Sequence, residues 1–156
     1  MNFKLINQFD ADLTNTIFEF CKTSKPLDFC LVSSASIRKN KIIDFIKYLE
    51  GEQLNYLIIS DSNEKLFVSL KKINDNIKIL FIMNVSFRHA KLNEALDEFN
   101  SFLFKENPEC EYIYSDVSRK FKLKQYLSWI KRYMKSCKIV LDNDKIVTYW
   151  YKQHVE

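Results

Sequence analysis

Glycine is almost absent: Gly51 is the single example in 156 residues. One glycine cannot supply the glycine-rich phosphate loop of a Walker or dinucleotide-binding fold, which removes two large enzyme classes. Proline is nearly as scarce, and Pro26 and Pro108 each mark a stop for a preceding helix. The four cysteines, Cys21, Cys30, Cys110 and Cys137, are scattered, with no Cys-x-x-Cys pair. With His89 and His154 as the only histidines, reduced thiols are expected and no metal site. The longest apolar run is too short to span a bilayer. The stretch MNFKLINQFDADL has no signal-peptide core, so a soluble, cytoplasmic protein without a membrane partner is expected.

Apolar residues make up 47% of the chain and aromatics 15%, which argues against disorder. A chain of 156 residues fits one domain, 1–156, large enough to bury a real core. Its net charge of +4 and pI near 8.8 suit an anionic ligand without identifying one.

The chain is organised around 77–104. Ile77 to Val85 is apolar except for Lys78 and Asn84, and reads as a strand buried on both faces. From Leu92 the period changes. Leu92, Ala95, Leu96, Phe99, Phe102 and Leu103 fall at helical spacing, with Glu94, Asp97, Glu98 and Asn100 on the polar side. A central strand therefore feeds an amphipathic helix through a short turn. In α/β proteins such a turn, at the carboxyl end of a strand, is a usual ligand site.

Around this unit the remaining elements follow in order. Phe3 to Ile6 reads as a strand, and Asp10 or Asp12 caps a helix carrying Leu13, Ile17, Phe18 and Cys21. Leu27 to Val32 fits either a strand or a connector. Ser34 or Ser36 caps a second helix with an apolar face of Ile42, Ile43, Phe45, Ile46 and Leu49, and Gly51 is placed as its left-handed C-terminal cap. Leu54 to Ile59, Lys65 to Leu70 and Ile77 to Val85 are joined by Asn/Asp/Ser turns, the signature of an antiparallel meander. A helix from about His89 to Phe104 precedes a strand over Glu111 to Asp116. A basic helix over Ser118 to Lys135 follows. Lys138 to Leu141 and Lys145 to Tyr151 then flank Asp142-Asn143-Asp144 as a hairpin.

The order β, α, α, β, β, β, α, β, α, β, β resembles the GCN5-related N-acetyltransferase (GNAT) superfamily over nearly the whole chain. The resemblance implies an α/β fold with a mixed, largely antiparallel sheet and helices on both faces. It also places Arg88-His89-Ala90-Lys91-Leu92-Asn93 at the family's pyrophosphate loop, commonly Arg/Gln-x-x-Gly-x-Gly/Ala. Arg88 fits the first position, while Lys91 and Asn93 stand where the family has glycines. Acetyl-CoA or another acyl-CoA is the implied cofactor, held by Val85, Arg88, His89, Ala90, Lys91, Leu92 and Asn93. A splay beside Val85 would admit the pantetheine. Ser118 lies near the family's Asn position, and Tyr126 is the implied general acid; the Gly-Phe pair that ends the family's fourth helix is missing.

The loop departures also resemble divergent GNAT-like proteins of tailed phages. Two functions are therefore carried forward. One is an acyl-CoA-dependent N-acyltransferase with a degenerate pyrophosphate loop, acting on an amine-bearing substrate. The other is a catalytically silent binding module, such as a virion-associated, assembly or host-interaction protein with a protein partner, placed in the host cytoplasm or virion. A homo-oligomer fits either.

Arg119, Lys120, Lys122, Lys124, Lys131, Arg132 and Lys135 border the apolar face of the basic helix, where a solvated rim is the default. The modest net charge weighs against nucleic acid as partner. Trp129, Tyr133, Trp150 and Tyr151 would form a partner surface if exposed, and burial in the sheet is the simpler reading.

Overall fold

A computed structural model describes residues 1–23, 42–118, 137–142 and 145–152. Among these residues seven strands form one sheet: β1 (Asn2–Leu5), β2 (Leu54–Ile59), β3 (Lys65–Ile73), β4 (Asn76–Asn84), β5 (Tyr112–Ser118), β6 (Lys138–Asp142) and β7 (Lys145–Tyr151). Their spatial order is β1-β2-β3-β4-β5-β7-β6, so β4 is the central strand. Every pair is antiparallel except β4 with β5. The parallel pair is connected through α3 (Leu92–Glu106), since parallel neighbours need a crossover. The other described helices are α1 (Ala11–Thr23) and α2 (Ile42–Glu52).

Two cores separate the faces. Leu92, Ala95, Leu96, Phe99 and Leu103 of α3 pack on Leu66, Val68, Leu70, Ile77, Ile79, Ile82, Ile113, Ile146 and Trp150. On the opposite face, Ile17 and Cys21 of α1 join Ile42, Ile46 and Leu49 of α2 over Phe67, Phe81 and Met83. Strand β4 contributes to both cores, as its largely apolar run predicts. The mixed, largely antiparallel sheet with helices on both faces is the observed architecture.

Strand β4 also carries a bulge that no period in its sequence discloses. Leu70 of β3 pairs with Ile79 and the adjacent Ser69 with Phe81, leaving Leu80 as an extra residue. The alternation shifts there: Ile77, Ile79 and Ile82 face the α3 core, while Phe81 and Met83 face α1 and α2. A bulge of this kind bends the strand and leaves one residue out of the ladder.

Asp10 is the cap of α1: its Oδ1 accepts the Leu13 N–H at 2.7 Å. The hairpin turns need left-handed residues, and Asn63 and Asn74 supply them with φ of 63° and 57°. The helix His89 to Phe104 is resolved into a single 3₁₀ turn, His89–Lys91, followed by α3.

Four expectations are corrected. Asn100 is fully buried, because it follows Leu92 by eight residues and Leu96 by four and so lies on the apolar stripe. Ile43 is 56% exposed rather than part of the α2 face. Ser118 is the last residue of β5, paired with Lys145, and does not open a helix. Gly51 lies inside α2 without a positive φ, so it is no left-handed cap.

Nothing lies within 4 Å of a Cβ placed on Gly51. Gly51→Ala should therefore stabilise the protein by about 0.5–1 kcal/mol, by removing backbone freedom from the unfolded chain. A urea melt with unchanged slope and raised midpoint is the expected reading.

Leu27 to Val32, the Ser34 and Ser36 caps and the basic helix beyond Ser118 lie outside the described residues. Trp150 is buried at 1% exposure, and Tyr151 joins Tyr112, Tyr114 and Tyr149 in a half-buried ring cluster across β5 and β7.

Candidate functional site

The seam between β4 and β5 is short. The pairing joins Ile77 to Ile113 and Lys78 to Tyr114, yet β4 continues to Asn84 and β5 to Ser118. Beyond Lys78, then, the two strands no longer form a ladder, and the bulged residue Leu80 lies on this unladdered length. One ion pair spans the strands where the ladder ends, Lys78 Nζ to Asp116 Oδ2 at 3.2 Å, with both side chains 25% exposed. Burial, Tyr112 and the Asp116 charge push the nearby Tyr114 phenol above its ordinary range, so it stays protonated at neutral pH.

At its far end β4 runs into a loop that is braced from three sides. The Asn84 side chain brackets Phe87, with Oδ1 accepting the Phe87 N–H at 2.7 Å and Nδ2 donating to the Phe87 carbonyl at 2.9 Å. This turn delivers the Phe87 ring into the α3 core, where it is 4% exposed. The N–H groups of Val85 and Ser86 both donate to the Lys65 carbonyl, and Ser86 Oγ accepts the Lys65 N–H at 2.9 Å. Glu64 completes the frame: its Oε2 accepts the Arg88 N–H at 2.9 Å and lies 3.5 Å from Arg88 Nε.

The bond from the Arg88 N–H, then the Ser62 hydroxyl, the Arg88 charge and the Ser60 hydroxyl, hold the Glu64 carboxyl below its ordinary range against a smaller opposing effect of burial. A depressed carboxylate contributes stability that is present at neutral pH and lost as pH falls through its folded-state value.

The loop ends at α3 without a side-chain cap. Lys91 is the N-cap residue, with φ −101° and ψ −5°, and makes no capping hydrogen bond. The 3₁₀ turn takes the Lys91 N–H to the Arg88 carbonyl at 2.9 Å, while the positive end of the α3 dipole at this end of the helix favours an anion. Lys91 and Asn93 both have negative φ, so neither position needs a glycine for its backbone conformation.

The expected cofactor residues are contiguous in space as in sequence. Val85, Arg88, Ala90 and Lys91 are exposed, Asn93 is half-buried and Leu92 is buried beneath them. His89 opens the 3₁₀ turn. Tyr126 lies outside the described residues. Sequence reasoning missed Glu64, Lys65, Asn84, Ser86 and Phe87, which hold the loop; an Asn two or three residues before a turn was the available signal for Asn84.

No thiol among the described residues is poised as a nucleophile. Burial pushes Cys21 and Cys137 to about 11 and raises Cys110 as well.

The architecture is a GNAT fold, as alignment with solved structures shows. The chain aligns with a PaiA N-acetyltransferase from Thermoplasma acidophilum bound to coenzyme A, at 14% identity, TM-score 0.56, covering 97% of this chain and 99% of that one. It also aligns with a GNAT-family acetyltransferase from Bacillus anthracis, at 10% identity, TM-score 0.61 and coverage of 98% and 96%. A variant of spermidine N-acetyltransferase from Vibrio cholerae aligns at 7% identity, TM-score 0.60 and coverage of 99% and 97%. The sequence matches no protein-family model and no curated protein.

Proposed function

We propose that the protein is an acyl-CoA-dependent N-acyltransferase whose donor's phosphates lie on the loop from Val85 to Asn93. The observation that carries this reading is the seam. The β4–β5 ladder stops at Lys78, and the remaining length of β4 leads to the uncapped start of α3. The residues present fit an acyl-CoA. Arg88 and Lys91 supply exposed cations, and the start of α3 supplies the positive end of a helix dipole. The unladdered part of β4 offers a backbone edge to the pantetheine arm.

When bound, acyl-CoA supplies a thioester whose carbonyl an amine attacks directly, with no covalent enzyme intermediate. The chain's part is to orient the two reactants and manage two protons. In this reading Tyr126 gives a proton to the departing sulfur, and water removes the proton of the amine.

The second reading, a silent GNAT-like binding module, is favoured by the carboxylates bordering the site. Glu64 is paired with Arg88 and Asp116 with Lys78, so neither is an unengaged base.

Calorimetry with acetyl-CoA separates the two. Binding should be measurable below millimolar ligand, and the Arg88→Ala, Lys91→Ala double variant should weaken it roughly tenfold or more, as loss of two phosphate cations implies. No binding at millimolar acetyl-CoA leaves the silent module; binding unaffected by the double variant removes the phosphate placement.

A further inference from the structure

We propose that Glu64 is the positioning residue of the β4–α3 loop, holding Arg88 by both its backbone N–H and its guanidinium so that the arginine is preset for phosphate. The inference rests on the phosphate placement proposed above.

Glu64 lies between the β2–β3 turn and the start of β3, 24 residues before Arg88. Carboxylates so near a hairpin turn are ordinarily free in solvent, yet this side chain is only 12% exposed. Three hydrogen bonds and one ion pair converge on it. Oε2 takes the Arg88 N–H at 2.9 Å and lies 3.5 Å from Nε, while Oε1 takes the Ser62 and Ser60 hydroxyls at 3.0 and 3.4 Å. Both carboxylate oxygens are thereby engaged.

The turn that carries Glu64 is itself fixed. Ser60 Oγ accepts the Glu64 N–H at 2.9 Å, Ser60 N–H donates to the Glu64 carbonyl at 2.9 Å, and Asn63 takes the left-handed conformation between them. The carboxylate is therefore a rigid post rather than a flexible tail.

The Arg88 side chain is 72% exposed, so the grip at Nε leaves most of the guanidinium open to a second anion. An arginine held at one edge loses less conformational freedom when its fork meets a phosphate. The exposed Lys91 has no such post among the described residues, so the two cations are not equivalent.

The test compares Glu64→Ala with Glu64→Gln. Glutamine can turn its carbonyl to the Arg88 N–H and its amide to the serine hydroxyls, so it restores position without the charge. Glu64→Ala should raise the dissociation constant for acetyl-CoA about tenfold, with the loss in turnover seen in KM and not in kcat. Glu64→Gln should recover most of the affinity.

Glu64→Ala binding as tightly as the wild type, or more tightly, overturns the proposal, as does Glu64→Gln binding no better than Glu64→Ala. If Glu64→Ala fails to fold, the Ser60→Ala, Ser62→Ala double variant replaces it, and should weaken binding about threefold.

Amide exchange at Arg88 in the ligand-free protein reports the post separately. It should be slow in the wild type and Glu64→Gln but faster in Glu64→Ala; equal rates in all three overturn the proposal. A wild type that ignores acetyl-CoA removes the proposed function and the phosphate part of this inference, whereas the exchange rates still decide whether Glu64 holds the loop.

Discussion

Phe99→Ala should cost the fold about 3–5 kcal/mol, a large fraction of the roughly 5–15 kcal/mol typical of a domain. Phe99 is fully buried and joins three elements through its ring. Phe3 of β1 lies 5.6 Å away between centroids, Tyr56 of β2 5.4 Å, and Phe102 on the next turn of α3 6.2 Å. Truncation removes the transfer energy of the ring and leaves a cavity where three neighbouring rings now meet it. Phe99→Leu should cost less, about 1.5 kcal/mol, because more of the volume is kept. Urea melts should show a lowered midpoint with unchanged slope; a loss under about 1 kcal/mol for Phe99→Ala would mean that α3 is not the keystone of this core.

Asn84→Ala should cost about 2 kcal/mol, from two hydrogen bonds worth about 1 kcal/mol each. It should also weaken acetyl-CoA binding more than tenfold. Asn84 both accepts from the Phe87 N–H and donates to its carbonyl, so one side chain sets the turn that buries Phe87 and aims Arg88. Asn84→Asp should fall between, since it keeps the acceptor and loses the donor. Thermal melts give the first quantity and calorimetry the second. If stability falls while affinity holds, the turn is structural and the phosphates lie elsewhere.

These two residues show what the sequence makes legible. Phe99 sits in a helical period with Leu92, Leu96 and Leu103, and its burial follows from spacing alone. The double burial of β4 follows from an apolar run too long for alternation. The bulge at Leu80 is hidden by that same run, since an inserted residue between apolar neighbours leaves no break to see. Gly51 was misplaced because a glycine near a helix end suggests a cap, whereas the helix continues past it to Glu52.

The site divides in the same way. The proposed location, Val85 to Asn93, is contiguous and falls where a strand turns into a helix, a junction that element order alone predicts. Its bracing depends on contacts across the hairpins: Glu64 with Arg88, and Lys65 with Val85 and Ser86. Such partners become neighbours only after register is set, and no local pattern announces them. Asn100 is hidden differently, because polarity suggested solvent while helix geometry placed it inside.

The short seam has a consequence for how the molecule assembles. Strands β2, β3 and β4 close by tight hairpins, so their ladder can form from nearby chain with little loop entropy lost. The unit of β5, β7 and β6 meets that meander through two backbone rungs and the underside of α3. Beyond those two paired positions, the halves of the sheet are held together by the core they share under α3, so α3 ties the meander to the C-terminal strands.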